Sequence, residues 1–183
     1  MKAIVNVNEA WGIGVGGQLL CHIPGDMKFF RETTKGKLVV MGRRTLESFP
    51  GGKPLKNRVN LVLSSNAKHI QPAAFLAAET DRKQGGSTEL LVVESVPKLL
   101  EMLRERGADP AEVFVIGGAA VYEELLPYCD SCLVTKNTCR EAADTFFPNL
   151  DKRPEWELAE EGEEQQFEQL RYRFLTYSRK RSL

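Results

Sequence analysis

The chain has 183 residues, of which 42% are hydrophobic and 27% charged; these values are typical of a folded protein and predict a single domain over residues 1–183. Its 25 basic residues balance its 25 acidic residues, so no overall field attracts nucleic acid or an acidic membrane. Asn6 and Asn8 interrupt the apolar start too early for a signal peptide, and no run reaches transmembrane length. We therefore expect a cytoplasmic protein without nucleic-acid or membrane partners.

Strands alternate with helices along most of the chain. Apolar runs predict strands over residues 3–7, 38–41, 59–63, 90–93, 113–116 and 132–135. Helices are predicted over residues 24–34, 43–49, 95–107 and 118–126. Phe75 and Leu76 suggest a weak strand, and residues 79–88 a loop. Residues 155–160 and 170–177 alternate as in an antiparallel hairpin. The prediction is an α/β fold: a mostly parallel central sheet flanked by helices, with a C-terminal antiparallel hairpin.

The cysteines do not form a recognisable metal motif. Cys129 and Cys132 have the spacing of half a zinc site, but only Cys139 lies nearby in sequence and both histidines are distant. We expect these three and Cys21 to be reduced, mostly buried thiols, and we expect no metal.

Asp26 lies in the opening turn of the helix predicted over residues 24–34. At helical spacing it shares a face with Phe30 and Thr33, so its carboxylate points along a partly apolar wall. Such a carboxylate can accept two parallel N–H bonds from a flat, amidine-like heterocycle. The alternative is an acidic residue that stabilises the helix dipole and faces water.

Two strand-to-helix turns could bind phosphate groups. Gly117 and Gly118 would let backbone N–H groups approach a pyrophosphate, although a tight turn alone could also require them. At the other turn, two arginines and the two serines that end the next strand could hold a phosphate monoester. Those four residues are Arg43, Arg44, Ser64 and Ser65, and the alternative is a pair of solvated arginines.

The glycine-rich segment Gly12-Ile13-Gly14-Val15-Gly16-Gly17 is similar to a dinucleotide fingerprint. That motif must open a helix, and no helical pattern follows before Pro24. A mobile lid over the site fits this segment better.

In this order, the motifs resemble the dihydrofolate reductase family from about residue 3 to the terminal hairpin. The resemblance is carried by Trp11-Gly12-Ile13-Gly14, by residues 23–30, 39–48, 54–58, 63–65 and 115–122, by Thr135 and by residues 144–148. It implies NADPH-dependent reduction of 7,8-dihydrofolate to tetrahydrofolate, with dihydrofolate and antifolates as small-molecule ligands. No metal is needed, because the cofactor supplies the hydride. We expect a monomer.

The resemblance also implies roles for individual residues. Asp26 would be the catalytic acid position, gripping the 2-amino group and N3 of the pterin, with support from Thr135. The rest of the substrate site would comprise Ile4, Val5, Met27, Phe30 and Ile116 around the rings, Arg58 on the glutamate α-carboxylate and Lys53 near the tail. The nicotinamide would lie against Asn6, Ile13 and the lid residues Gly14, Val15, Gly16, Gly17, Gln18 and Leu19. The rest of NADPH would contact Gly42, Arg43, Arg44, Thr45, Leu63, Ser64, Ser65, Gly117, Gly118, Ala119, Ala120, Val121 and Tyr122.

Three positions depart from the family's usual pattern. Cys21 replaces a tryptophan that normally packs by the pterin, Asn6 replaces a small apolar residue, and Leu46 occupies a position that is often aromatic. If the alignment of the lid holds, Cys21 lines the pterin pocket and the other three cysteines lie away from it. Two other functions fit the same fold: the pyrimidine reductase of riboflavin synthesis, and a non-catalytic folate- or nucleotide-binding module. Asp26 and Arg58 together argue against the first of these.

Overall fold

The computed structural model describes residues 1–180, so residues 181–183 of the predicted domain lie outside the described part. Within it, the first half of the chain forms β1 (Lys2–Asn8), β2 (Gly12–Val15), β3 (Gln18–Leu19), α1 (Pro24–Thr34), β4 (Leu38–Gly42), α2 (Arg43–Ser48), β5 (Val59–Leu63), α3 (Pro72–Lys83) and β6 (Glu89–Val93). The second half forms α4 (Val96–Glu105), β7 (Val113–Gly117), α5 (Ala119–Leu125), β8 (Ser131–Asn137), β9 (Thr145–Phe146), β10 (Trp156–Glu161), β11 (Gln165–Phe167) and β12 (Leu170–Arg179).

One large sheet organises the described residues, with the strand order β10-β12-β8-β1-β7-β4-β5-β6 and β11 added against β12. The strands from β8 to β6 run parallel, whereas β12 is antiparallel to its neighbours β8, β10 and β11. The predicted fold class is therefore confirmed. The antiparallel part differs in detail, because β11 joins the predicted pair of C-terminal strands as a third.

Alternate residues of the strands feed two apolar clusters on opposite faces of the sheet. On one face, Val5, Val40 and Val115 pack with side chains from α4 and α5. On the other, Ile4, Met41 and their neighbours pack with side chains from α1, α2 and α3. Both faces are covered, which explains why β4, β5 and β7 are nearly continuous apolar runs.

Helix α1 matches its predicted bounds because its ends are specified locally. Pro24 occupies the first helical turn, where a missing N–H costs nothing. After the helix, Gly36 adopts φ +76°, a left-handed conformation that favours glycine. A Cβ on Gly25 would lie 2.1 Å from the Tyr172 hydroxyl, so the start of the helix packs closely on β12.

The prediction for residues 66–88 is wrong, because a helix, α3, replaces the weak strand at Phe75 and Leu76 and the first part of the loop predicted over 79–88. The sequence pattern misleads because Phe75 and Leu76 are exposed, whereas the small residues Ala74 and Ala78 face the core. None of the helices within residues 1–180 has the length and apolar run needed to cross a membrane.

Candidate functional site

The carboxylate of Asp26 lies on the face of the sheet covered by α1, next to polar side chains of β1 and β8. Its Oδ2 accepts a hydrogen bond of 2.8 Å from Nδ2 of Asn6, and the Thr135 hydroxyl interacts with the same carboxylate. Burial raises the pKa of Asp26 above its ordinary value, while Thr135, Asn6 and the nearby His22 oppose that rise. A partly buried carboxyl with a raised pKa beside apolar walls is a strong candidate for acid–base chemistry.

Parallel register brings these polar side chains together. Asn6 of β1 lies beside Thr135 of β8, and Asn137 follows two residues later on the same face. Asn137 donates to Asn6 Oδ1 at 2.6 Å. The sequence analysis places Asn6 beside the nicotinamide, and in the structure its amide joins Asp26 to Asn137. Sequence reasoning did not identify Asn137 as part of the site.

The predicted apolar wall is only partly assembled around Asp26. Phe30 and Ile116 pack against the cluster that contains Ile4, and Met27 is half-buried one residue after Asp26. Val5 belongs to the cluster on the opposite face of the sheet, so only its backbone can line this site.

Arg58 is 7% exposed and held by three hydrogen bonds. Its Nε donates to Thr34 Oγ1 at 2.9 Å, Nη1 to the Lys56 carbonyl at 2.6 Å, and Nη2 to the Arg31 carbonyl at 2.9 Å. A guanidinium has five N–H groups, so one N–H on each terminal nitrogen lacks an acceptor among the described residues. Such a pair forms a fork that matches a carboxylate.

Burial lowers the pKa of Arg58, and the nearby charge of Arg31 lowers it further. Arg31 therefore places a second cation near Arg58, on an exposed side chain. The sequence analysis did not select it, although it directly follows Phe30. Lys53, which the sequence analysis places near the substrate tail together with Arg58, is exposed like Arg31.

A glycine-lined crevice lies between the ends of β4 and β7. A Cβ on Gly42 would approach Val121 Cγ2 to 3.1 Å, and one on Gly118 would lie 3.4 Å from Thr45 Oγ1. Gly117 adopts φ +121°, and a Cβ there would lie 3.3 Å from the Tyr122 ring. Backbone atoms rather than side chains therefore line the crevice closely, at the start of α2 and α5, where N–H groups suit an anion.

The four residues predicted to bind phosphate differ in how free they are. Arg43 donates to Glu47 Oε1 at 2.8 Å, whereas Arg44 is exposed and has no ion-pair partner among the described residues. Ser64 donates to the Asn66 carbonyl at 3.0 Å, and Ser65 is exposed just beyond β5. Arg44 is thus better placed than Arg43 to meet a new anion.

The glycine-rich segment forms a hairpin of β2 and β3, and neither strand was predicted. Gly16 and Gly17 form its turn with φ of +58° and +78°, as a tight two-residue hairpin requires. β2 also pairs with β9, and the Gly16 N–H donates to Asp144 Oδ2 at 2.8 Å. Val15 and Leu19 are 38% and 59% exposed, so the hairpin presents apolar side chains outward.

The cysteine prediction needs one correction. Cys21 is half-buried and close enough to Asp26 for the carboxylate charge to raise its thiol pKa, as expected beside the site. Cys139, which was expected to lie away from it, instead interacts directly with the Cys21 thiol. Burial is the main cause that raises the pKa of Cys21 to about 12. All four cysteines are free thiols, and residues 1–180 contain no cluster of three or more metal-binding side chains.

The open sheet, the glycine-lined crevice and the partly buried carboxylate are typical of an enzyme that binds a nucleotide cofactor and a small-molecule substrate. A family model described as dihydrofolate reductase matches residues 1–179. This chain belongs to the dihydrofolate reductase family.

Individual relatives agree with that assignment. The dihydrofolate reductase of Bacillus subtilis is 34% identical over 172 residues, which span 93% of this chain and 89% of the relative. The Mycobacterium tuberculosis H37Rv enzyme is 35% identical over 176 residues, covering 91% and 90% of the two chains. A structure of Enterococcus faecalis dihydrofolate reductase complexed with NADP(H) and RAB-propyl has a TM-score of 0.74 at 32% identity, covering 97% of this chain and 95% of that one.

Proposed function

We propose that this chain reduces 7,8-dihydrofolate to 5,6,7,8-tetrahydrofolate with NADPH, and that Asp26 is its catalytic carboxylate. Membership of the dihydrofolate reductase family supports the reaction. The observation that supports the residue is the partly buried Asp26 carboxylate, fixed by Asn6 and Thr135 on a face that also carries Phe30. The rival pyrimidine reductase needs neither this carboxylate nor the fork of Arg58.

Asp26 would bind the pterin as an acceptor. A carboxylate has about four lone-pair sites, so Asp26 can accept N–H bonds from the pterin 2-amino group and N3 while it keeps its contact with Asn6. Its negative charge favours a proton on N5 of the pterin, delivered by water. Since Ile4, Phe30 and Ile116 exclude solvent from one side, that charge acts through a medium of low polarity.

Arg58 would hold the other end of the substrate. Its two remaining N–H groups can take the glutamate α-carboxylate as a fork, and Arg31 supplies a second positive charge nearby. Lys53 would lie further along the tail. Fixing both ends of the substrate orients the pterin ring, which is a large part of the catalytic advantage in reactions of this kind.

The crevice residues fit NADPH. A Cβ on Gly42 or Gly117 would crowd the crevice, so the absence of side chains there suits a pyrophosphate, together with Gly118, Thr45 and residues 119–122. Arg44, Ser64 and Ser65, with Arg43 once released from Glu47, would hold the 2′-phosphate, and Leu63 and the hairpin of residues 13–19 would cover the remaining parts. When bound, NADPH supplies the hydride.

We propose a monomeric, cytoplasmic protein of one domain, without nucleic-acid partners, that antifolates inhibit by occupying the pterin site. The balance of 25 basic and 25 acidic residues supports the absence of nucleic-acid partners. Analytical ultracentrifugation of the full chain tests the monomer.

The decisive experiment follows NADPH oxidation at 340 nm with and without dihydrofolate. Wild-type protein should oxidise NADPH only when dihydrofolate is present, and Asp26→Asn should lower turnover by ~10² to 10⁴ while NADPH affinity is retained. Glu105→Gln, at the exposed end of α4, serves as a matched loss of one carboxylate. Near-wild-type turnover of Asp26→Asn at neutral pH would exclude Asp26 as the catalytic group.

A further inference from the structure

Two asparagine amides form a directed hydrogen-bond chain behind Asp26. Asn137 is 2% exposed, and its Oδ1 accepts from the backbone N–H of Cys139 at 2.8 Å. Its Nδ2 donates to the Val7 carbonyl at 2.9 Å and to Asn6 Oδ1 at 2.6 Å. A backbone N–H can only donate and a carbonyl can only accept, so backbone groups fix which way the Asn137 amide points.

The orientation of the Asn137 amide fixes the orientation of the Asn6 amide. Because Asn137 presents a donor, Asn6 must present its oxygen to Asn137 and its nitrogen to the other side. That nitrogen lies 2.8 Å from Asp26 Oδ2. Oδ2 therefore faces an N–H that can only donate, and a proton on Oδ2 directed at Asn6 would have no acceptor.

The other groups around Asp26 do not provide the same constraint. The titratable neighbours of Asp26 are His22 and Cys21, in the segment before α1, and the buried Tyr122 of α5. Thr135 of β8 carries a hydroxyl that can either donate or accept. From β12, Tyr172 donates its hydroxyl hydrogen to Gln165. Among the described residues, the Asn6 amide is thus the contact whose donor role is imposed by the backbone.

We propose that Asn6, oriented by Asn137, is a positioning residue that holds Asp26 Oδ2 as a hydrogen-bond acceptor and fixes the carboxylate toward the pterin. The inference rests on the proposed catalytic role of Asp26. It assigns Asn6 a role toward the carboxylate rather than toward the nicotinamide. It also extends the machinery to Asn137, whose side chain hydrogen-bonds to Asn6 and to backbone groups but not to Asp26.

The test titrates Asp26 directly, by ¹³C NMR of protein labelled at the aspartate carboxyl carbon. Asp26→Asn identifies the signal by its loss. Asn6→Ala should raise the pKa of Asp26, because it removes a donor that favours the ionised form. Asn137→Ala should shift the titration in the same direction, and the double variant should match Asn6→Ala, because Asn137 acts through Asn6.

Kinetics provide a second, independent measurement. A lost hydrogen bond to a charged group should lower kcat/KM for dihydrofolate by about tenfold, with the pH profile moving in the same direction as the NMR titration. The Kd for NADPH should stay unchanged. Asn149→Ala is the control, because its side chain also accepts a backbone N–H, at Asp151, but it does not contact Asp26, Asn6 or Asn137.

The outcomes are separable. An unchanged Asp26 titration in Asn6→Ala, with or without weaker NADPH binding, overturns the inference while leaving the proposed function intact. A wild-type protein without dihydrofolate-dependent activity, or an active Asp26→Asn variant, would instead defeat the proposed function. If Asn137→Ala does not fold, Asn6→Ala alone decides the result, since Asn6 is only half-buried.

Discussion

Replacing Arg58 by methionine tests how the substrate tail is held. The change keeps a long apolar stem and removes every guanidinium donor. Two N–H groups of Arg58 lack acceptors among the described residues, and hydrogen bonds to charged groups contribute about 1.5–3 kcal/mol each. If both bind the glutamate carboxylate, the loss is roughly 3–6 kcal/mol, or about 10² to 10⁴ in kcat/KM for dihydrofolate.

The same substitution also weakens the fold, and the assay has to separate the two effects. It removes the hydrogen bonds to Thr34, Lys56 and Arg31, with an expected cost of roughly 4.5–9 kcal/mol in unfolding free energy at the same value for each bond. Urea unfolding measures that cost and defines conditions under which the variant stays folded.

A shortened substrate isolates the tail contact. 7,8-Dihydrobiopterin carries the pterin ring but no glutamate, so its kcat/KM should hardly change in folded Arg58→Met. Arg31→Met is the matched control: its side chain is exposed, and its loss should affect dihydrofolate less than the loss of Arg58. Equal losses for both substrates in the folded Arg58 variant would refute the fork assignment.

Three further outcomes are expected. Arg44→Ala should weaken NADPH binding by about tenfold or more and leave NADH binding unchanged, as measured by fluorescence titration. Arg43→Ala should weaken NADPH binding less, because Arg43 already binds Glu47. Equal losses for NADPH and NADH would contradict a contact between Arg44 and the 2′-phosphate. With a pKa of about 12, Cys21 should be only roughly 1 part in 10⁴ thiolate at pH 8, so mass spectrometry should find slow maleimide labelling that bound antifolate slows further. The Cys21→Ser variant should stay active and resist inactivation by the reagent. Rapid labelling at neutral pH, or labelling that antifolate does not slow, would be inconsistent with a position beside this site. Because burial raises the pKa of folded Asp26, ionisation of this carboxyl at neutral pH opposes folding, and Asp26→Asn should be more stable than wild type to urea at pH 7. The gain in stability should shrink as the pH falls through the raised pKa toward the ordinary carboxyl value. A variant less stable than wild type at pH 7 would contradict the raised pKa.

The sequence correctly predicted the helices and strands that short segments of the chain specify by themselves. The apolar runs at β4, β5 and β7 reflect burial on both faces, and Pro24 with Gly36 marked both ends of α1. Where the local pattern was misleading, the prediction was wrong: in α3, small alanines face the core and large apolar residues face solvent. The strands β2, β3 and β9 are too short to have a pattern, and β2 and β9 pair across more than 120 positions of the chain.

The candidate site likewise contains residues that could be proposed from the sequence and contacts that could not. Residue types and the order of the motifs are enough to propose Asp26 from its helical segment and the crevice glycines from their strand-to-helix turns, while Arg58 is proposed from the family resemblance. Which side chains contact one another depends on the folded chain. The register of β1 against β8 joins Asn6 to Asn137, chain folding brings Cys139 to Cys21, and a same-helix partner occupies Arg43. Such contacts depend on side-chain directions and distances fixed by packing across the whole sheet, which residues far apart in sequence do not encode locally.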